Sequence, residues 1–87
     1  MIYEEIVRTI IEPIVEEPKA LLIREIATNG DDDITIVIVA NNDDTARLIG
    51  RKGVIAEALR EVISIAGKQD QRRLRLKFES FENKSDE

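Results

Sequence analysis

The sequence predicts a small α+β domain in which a three-stranded mixed sheet carries all of its helices on one face. Three observations predict this class. The first segment repeats isoleucine every four residues, as an amphipathic helix does. Residues 34–40 are nearly all β-branched, which is typical of a central strand. Residues 72–79 alternate strictly between apolar and polar side chains, which indicates a half-buried strand.

The first element is predicted to be a helix over residues 2–17. Acidic residues fall between its isoleucines, which are Ile2, Ile6, Ile10 and Ile14. Pro13 removes one backbone donor, so we expect it to kink the helix or to restart it in the last turn. Pro18 ends the helix. We interpret this helix as packed on its own domain, and a helix that binds a partner is the alternative.

Two strands are predicted next, over residues 20–27 and 34–40. The Asn29-Gly30 pair between them is a strong hairpin signal, so the strands should pair antiparallel. Three acids in a row, residues 31–33, lie at the tip of this hairpin. We interpret them as solvated charges that hinder pairing of the strand edge with another chain. A calcium-binding loop is not expected, because its oxygen spacing is absent.

The second half of the chain is predicted to contain two helices and a last strand. A turn at residues 41–44 supplies an N-cap for a short helix over residues 44–49. A longer helix follows over residues 54–66, with Gly67 as its C-cap. Its predicted apolar face consists of Ile55, Leu59, Val62, Ile63 and Ala66.

The last strand, residues 72–79, should lie parallel to the central strand because a helical crossover connects the two. Its apolar side chains point one way, and Arg73, Arg75 and Lys77 point the other way, onto a face of the sheet that no helix covers. The predicted domain therefore spans residues 1–79, and the polar residues 80–87 are expected to form a flexible tail.

Composition excludes several classes of function. The 87 residues include neither cysteine nor histidine, which removes disulfides, thiolate nucleophiles, zinc sites built on cysteine and the commonest general base. Only 3% of the residues are aromatic, so an aromatic stacking platform is not expected. We therefore expect no enzyme, no metal and no cofactor. An acidic N-terminus and the lack of a long apolar run predict a cytoplasmic protein without a membrane segment.

Charge is distributed unevenly along the chain, whose net charge is −5. Residues 1–44 hold 3 Lys and Arg against 11 Asp and Glu, whereas residues 45–79 hold 9 against 4. The basic part contains the sequence Gly50-Arg51-Lys52-Gly53, which we call the glycine loop. Two glycines and two cations before a helix start suit a ligand that carries phosphate.

The glycine loop fits neither of two common phosphate motifs. A P-loop would be longer and would close in Gly-Lys-Ser or Gly-Lys-Thr, whereas Gly53 precedes Val54. A dinucleotide-binding loop would run directly from a strand into a helix, whereas a short helix precedes this loop. The remaining pattern is a GxxG loop that joins a short helix to a longer one.

This pattern resembles the KH domain. Residues 48–60 read LIGRKGVIAEALR, which resembles the KH signature, and the order α-β-β-α-α-β resembles the type II form. From about Tyr3 to Phe78 the chain is similar to the bacterial single-domain KH RNA-binding proteins of the KhpA (YlqC-type) family. The resemblance implies a small-RNA-binding protein or RNA chaperone that clamps the backbone of about four nucleotides of single-stranded RNA. It also implies a second KH protein of the KhpB (Jag) type as a partner.

The resemblance gives each loop residue an expected role. Gly50 and Gly53 would allow close backbone approach, Arg51 and Lys52 would contact phosphates, and apolar side chains would support the bases. The RNA-binding candidates are Arg47, Ile49, Gly50, Arg51, Lys52, Gly53, Val54 and Ala58. Because the chain is acidic overall and its hairpin carries three acids, we expect weak, salt-dependent binding.

Two other functions are weighed against RNA binding. The central strand carries Thr35, Val37 and Val39 on the side opposite its isoleucines. Exposed apolar surface there predicts a protein-interaction module, either a homodimer or a heterodimer. An enzyme would need a carboxylate pair or a lysine, but the acids are better interpreted as a solvated face and as turn caps.

Overall fold

The computed structural model describes residues 2–28, 30 and 32–81 and has the predicted α+β order. Its helices are α1 (Ile2–Ile11), α2 (Asn42–Ile49) and α3 (Val54–Gln69). Its strands are β1 (Leu22–Thr28), β2 (Asp33–Ala40) and β3 (Arg73–Ser80). Short 3₁₀ turns lie at Pro18–Ala20 and Arg51–Gly53.

The three strands form one mixed sheet in the order β1-β2-β3. β1 and β2 pair antiparallel, with Leu22 opposite Val39, as the hairpin signal predicts. β2 and β3 pair parallel, with Asp33 opposite Arg73, as the helical crossover predicts. The hydrogen-bond ladder extends one residue beyond β3, because Phe81 N–H donates to the Ala40 carbonyl.

The core lies between the sheet and the helices. Ile34, Ile36 and Ile38 of β2 are buried against the helices, and the alternate residues of β2 are only half-buried. α1 contributes Tyr3, Val7 and Ile11 to this core, and α3 contributes Ala56, Leu59 and Ile63. The core is almost entirely aliphatic, and the opposite face of the sheet carries no helix in the described part of the chain.

The prediction that the first helix extends to residue 17 is wrong, because α1 ends at Ile11. Pro13 has no N–H to donate, and its ring crowds the carbonyl four residues earlier. The next backbone bond, from Ile14 N–H to Ile11 O (2.9 Å), is of the tighter i→i−3 type. The helix does not restart, and the buried stripe of α1 is the one through Val7, so that Ile2 and Ile10 are exposed.

The boundaries of α2 and α3 also differ from those predicted. α2 begins at Asn42, because the Asn41 side chain accepts the Asp44 N–H (2.8 Å) and so caps the helix earlier than expected. Gly67 is not the C-cap of α3: it is buried inside the helix, which continues to Gln69. Val62 lies outside the buried face of α3 and is 45% exposed.

Some predicted features lie outside the described residues. These are Asn29 and Asp31 of the hairpin tip and residues 82–87 of the proposed tail. In the part of the chain that is described, no helix is long and apolar enough to cross a membrane.

Candidate nucleic-acid interface

The glycine loop has a backbone that turns through left-handed conformations at three of its four residues. Gly50 has φ 79° and ψ 172°, Lys52 has φ 58°, and Gly53 has φ 78° and ψ 18°. The conformation of Gly50 is accessible to essentially no residue but glycine. Three backbone bonds hold the turn: Gly50 N–H donates to Ala46 O (2.9 Å), Gly53 N–H donates to Gly50 O (3.1 Å), and Val54 N–H donates to Arg51 O.

The two glycines have different surroundings. A Cβ added to Gly50 would lie 2.8 Å from Ile55 Cγ1 and 3.0 Å from Ile55 N, so the loop packs closely on the first turn of α3. A Cβ added to Gly53 would meet nothing within 4 Å. Gly50 therefore fixes the loop against the helix, and Gly53 leaves open space beside the start of that helix.

Arg51 and Lys52 present their charges to solvent on this turn. Both are exposed, and neither forms an ion pair with any residue that the structure describes. The loop leads directly into α3, whose N-terminus has no side-chain cap. The positive end of the helix dipole therefore lies beside two unpaired cations, an arrangement that favours an anionic ligand.

Apolar side chains border the loop on both sides. Ile49 is 37% exposed at the end of α2, and Val54 is 63% exposed at the start of α3. Ala58 follows Val54 after one helical turn and is also exposed. Exposed apolar residues continue along α3 through Val62 and Ile65, and we call Val54, Ala58, Val62 and Ile65 the apolar stripe of α3. Ala58 also lines a small apolar depression between α1 and α3.

Arg47, the remaining candidate, is held by acidic side chains. Its guanidinium lies 2.6 Å from Asp44 Oδ1 and 3.3 Å from Glu16 Oε2. Its charge is thus largely balanced, unlike the charges of Arg51 and Lys52. Arg47 lies on α2, shortly before the loop, but its side chain is directed toward the segment that follows α1.

Asp44 is a buried residue beneath the site whose contacts sequence reasoning missed. It is only 1% exposed, and its two carboxylate oxygens accept the backbone N–H groups of Glu16 (2.9 Å) and Glu17 (3.1 Å). These hydrogen bonds, with the bond from Glu16 as the largest cause, and the Arg47 guanidinium hold the pKa of Asp44 below its usual value although burial opposes them. Asp44 therefore fastens α2, and the loop that follows it, to the segment after α1.

A wider depression of the described surface lies away from the loop. It has a volume of about 650 Å³, lies at the far end of α3 from the loop, and mixes Lys68, Arg72 and Arg73 with Asp32 and Asp33. Because both signs of charge line it, it does not present a uniform field to an anion. Among the described residues, no cluster of acids is placed to hold a metal ion.

Comparison with known proteins gives a consistent result. Residues 4–78 match the family model described as the KH domain of KhpA/KhpB. The RNA-binding protein KhpA of Listeria monocytogenes serovar 1/2a is 30% identical over 75 residues, which cover 86% of this chain and 96% of the relative. No solved structure matches the chain significantly.

Two further relatives show the same extent of similarity. The RNA-binding protein KhpA of Caldanaerobacter subterraneus is 31% identical over 70 residues, which are 80% of this chain and 91% of that protein. The one from Bacillus subtilis is 30% identical over 79 residues, which are 91% of this chain and 93% of that protein. These relatives are named as binding proteins and not as enzymes, in agreement with the expectation from composition. Since the family model spans the glycine loop and nearly all of the fold, the chain belongs to the KhpA/KhpB family of KH domains.

Proposed function

We propose that this domain binds single-stranded RNA and that the glycine loop clamps the sugar-phosphate backbone of about four nucleotides. The observation that carries the proposal is the pair of exposed, unpaired cations Arg51 and Lys52, held on a left-handed turn beside the uncapped start of α3. The naming of several relatives as RNA-binding proteins supports it.

In this proposal the two glycines shape the loop, and the two cations bind phosphates. The open space at Gly53 admits the RNA backbone, which can then approach the positive end of the α3 dipole. Arg51 and Lys52 supply charge to two phosphates. Gly50 keeps the turn close to α3, so the loop backbone is in position before the RNA arrives and little ordering is needed on binding.

The apolar candidates would support the bases. Ile49, Val54 and Ala58 are exposed beside the loop, so a base could cover them and remove apolar surface from water. Arg47 has a different part in this proposal. Because Asp44 and Glu16 already balance its charge, it would position α2 and contribute little to phosphate binding.

The affinity should be modest and should fall with salt. The net charge of −5 opposes a polyanion over long distances, and the local cations act within the screening length of about 8–10 Å. Such a domain suits a cytoplasmic role in which it binds small RNAs transiently, as an RNA chaperone does. A KH protein of the KhpB (Jag) type is the proposed partner.

A charge-reversal experiment tests the clamp. The double variant Arg51→Asp with Lys52→Asp should lose binding to short single-stranded RNA at low salt, measured by fluorescence anisotropy, while its urea unfolding curve stays close to that of the unmodified protein. The control is Lys19→Asp with Arg60→Glu, which makes the same change of charge at exposed positions away from the loop. If the loop variant bound RNA as well as the control did, the clamp would be wrong.

The open face of the sheet favours a second candidate function, protein interaction. Leu22 is 44% exposed and Ile26 is 47% exposed on this face. A second copy of the chain or a second KH protein would cover them. Sedimentation at low micromolar concentration tests the homodimer, and a purely monomeric profile would contradict it. Both functions are compatible, because the loop and the open face are separate surfaces.

A further inference from the structure

The open face is the surface of the sheet that points away from the helices, and its residues follow from the strand register. Each row across it takes one residue from β1, β2 and β3 in turn. The four rows are Leu22-Val39-Glu79, Arg24-Val37-Lys77, Ile26-Thr35-Arg75 and Thr28-Asp33-Arg73. All four apolar residues of this face, Leu22, Ile26, Val37 and Val39, therefore lie on β1 and β2, and the β3 side is a row of charges.

Cations dominate the open face although the protein is acidic. Four of its residues are basic and two are acidic; the basic ones are Arg24, Arg73, Arg75 and Lys77. Lys77 is paired with Glu79 at 3.3 Å, but both side chains remain well exposed, so the pair contributes little. Apolar residues on β1 and β2 beside a row of cations on β3 are complementary to a partner that has an apolar stripe with an acidic border.

A second copy of this face does not supply that complement. A two-fold dimer places the same surface on both sides of the interface, so each basic row would meet a face that is itself net positive. Its two acids, Asp33 and Glu79, already lie beside Arg73 and Lys77 of the same chain. Like charges brought together in this way cost free energy.

The outline of the open face suits a single helix. Three strands spaced about 4.8 Å apart, of seven or eight residues at about 3.3 Å per residue, give a face of about 14 by 26 Å. It matches one α-helix, which is about 10 Å wide and spans 26 Å in about 17 residues.

We propose that the open face binds a single acidic amphipathic helix from a partner protein. The helix would lay its apolar stripe on Leu22, Ile26 and Val37 and direct its carboxylates at Arg75 and Lys77. This inference narrows the second candidate function, because it replaces the symmetric homodimer by a helix of a partner protein, and it does not depend on the RNA clamp. The chain's own acidic helix, α1, cannot be the occupant, because its apolar stripe is already buried in the core.

RNA is a poorer occupant than a helix. The four paired rows of the open face include no aromatic ring on which bases could stack, and the nearest one is Phe81, which follows β3 and is 43% exposed. Phosphates along β3 would leave the aliphatic residues of β1 in water. A helix removes that apolar surface from water and neutralises the cations at the same time.

The test uses two designed 18-residue helical peptides with the same leucine and alanine stripe, one bordered by glutamate and the other by lysine. Amide shifts of the labelled protein report where each peptide binds. The glutamate peptide should shift signals along β1, β2 and β3, and the lysine peptide should not. Arg75→Glu with Lys77→Glu should weaken binding at least tenfold, whereas the charge-matched control Lys19→Glu with Arg60→Glu should not change it.

Several results would overturn the proposal. The glutamate peptide could fail to bind, could bind no better than the lysine peptide, or could shift the apolar stripe of α3 instead. Short single-stranded RNA could shift β3, which would make the open face a nucleic-acid surface. The Arg51→Asp, Lys52→Asp variant separates this proposal from the clamp, since it should lose RNA binding and keep peptide binding.

Discussion

Gly50 lies so close to Ile55 that a Cβ on Gly50 would be 2.8 Å from Ile55 Cγ1 and 3.0 Å from Ile55 N. The second of these atoms belongs to the backbone of α3, so rotation of a side chain cannot relieve the contact. The shape of the glycine loop is therefore set by the first turn of the helix that follows it. The loop is a fixed extension of α3 rather than an independent segment.

The two glycines should consequently respond differently to substitution by alanine. Gly50→Ala combines a glycine-only conformation with a collision against α3, so we expect the free energy of unfolding to fall by at least about 2 kcal/mol. Gly53→Ala places its methyl group in open space and costs only the strain of the left-handed region, about 1 kcal/mol. Urea unfolding of both variants measures the difference.

RNA binding adds a second readout to this pair. The methyl group of Gly53→Ala would enter the space proposed for the RNA backbone, so binding should weaken about tenfold although the fold is nearly intact. Equal loss of stability in the two variants would contradict the separate roles of the glycines. Unchanged RNA affinity in Gly53→Ala would contradict the proposed position of the RNA.

The salt dependence of RNA binding should distinguish the role of Arg51 from that of Arg47. If two phosphates are contacted, the logarithm of the RNA association constant should fall against the logarithm of salt concentration with a slope of about −1.4, since each contact on a single strand contributes about −0.7. Arg51→Ala should reduce the slope to about −0.7. Arg47→Ala should leave the slope at about −1.4. It should instead lower the free energy of unfolding, because the Asp44 carboxylate loses the guanidinium with which it pairs. A reduced slope in Arg47→Ala would place Arg47 on a phosphate.

These variants show where sequence reasoning succeeds and where it stops. The β-branched run of β2 and the alternation of β3 are local patterns, and both predict their strands correctly. Pro13 predicts a disturbance of the first helix, but whether the helix kinks or ends depends on packing. Asp44 looks like an ordinary residue of a first helical turn. Its burial depends on two N–H groups more than 25 residues away, which no local pattern contains.

Asp44 should give the protein a stability that depends on pH. Its pKa is lowered in the folded state from the usual 3.8, so its contribution is fully present above about pH 4 and is lost as the pH falls through the folded value. Both carboxylate oxygens of Asp44 accept backbone N–H groups. Asp44→Asn replaces one of these oxygens by an NH₂ group, which can only donate. At pH 7 the free energy of unfolding should fall by about 2 kcal/mol.

The measurement compares urea midpoints of Asp44→Asn and the unmodified protein at pH 7 and at pH 3. The difference should shrink at the lower pH, because below its usual pKa of 3.8 this carboxyl group takes up a proton in the unfolded chain more readily than in the folded protein. Asp43→Asn is the matched control: its side chain is exposed on the same helical turn, so its effect should be a few tenths of a kcal/mol. A difference for Asp44→Asn that did not change with pH would mean that its charge does not matter.

For Gly67→Ala, helix propensity and packing predict changes of opposite sign in the free energy of unfolding. Alanine in place of glycine inside a helix ordinarily stabilises by about 1 kcal/mol. A Cβ on Gly67 would lie 2.8 Å from the Arg72 carbonyl oxygen and 2.8 Å from Leu74 Cγ, where α3 turns back into β3. We therefore expect Gly67→Ala to destabilise, by about 1–3 kcal/mol as overpacking does. Urea unfolding beside Ser64→Ala, an exposed position on the same helix, decides the sign, and a stabilised Gly67→Ala would show that the contact between α3 and β3 is looser than these distances.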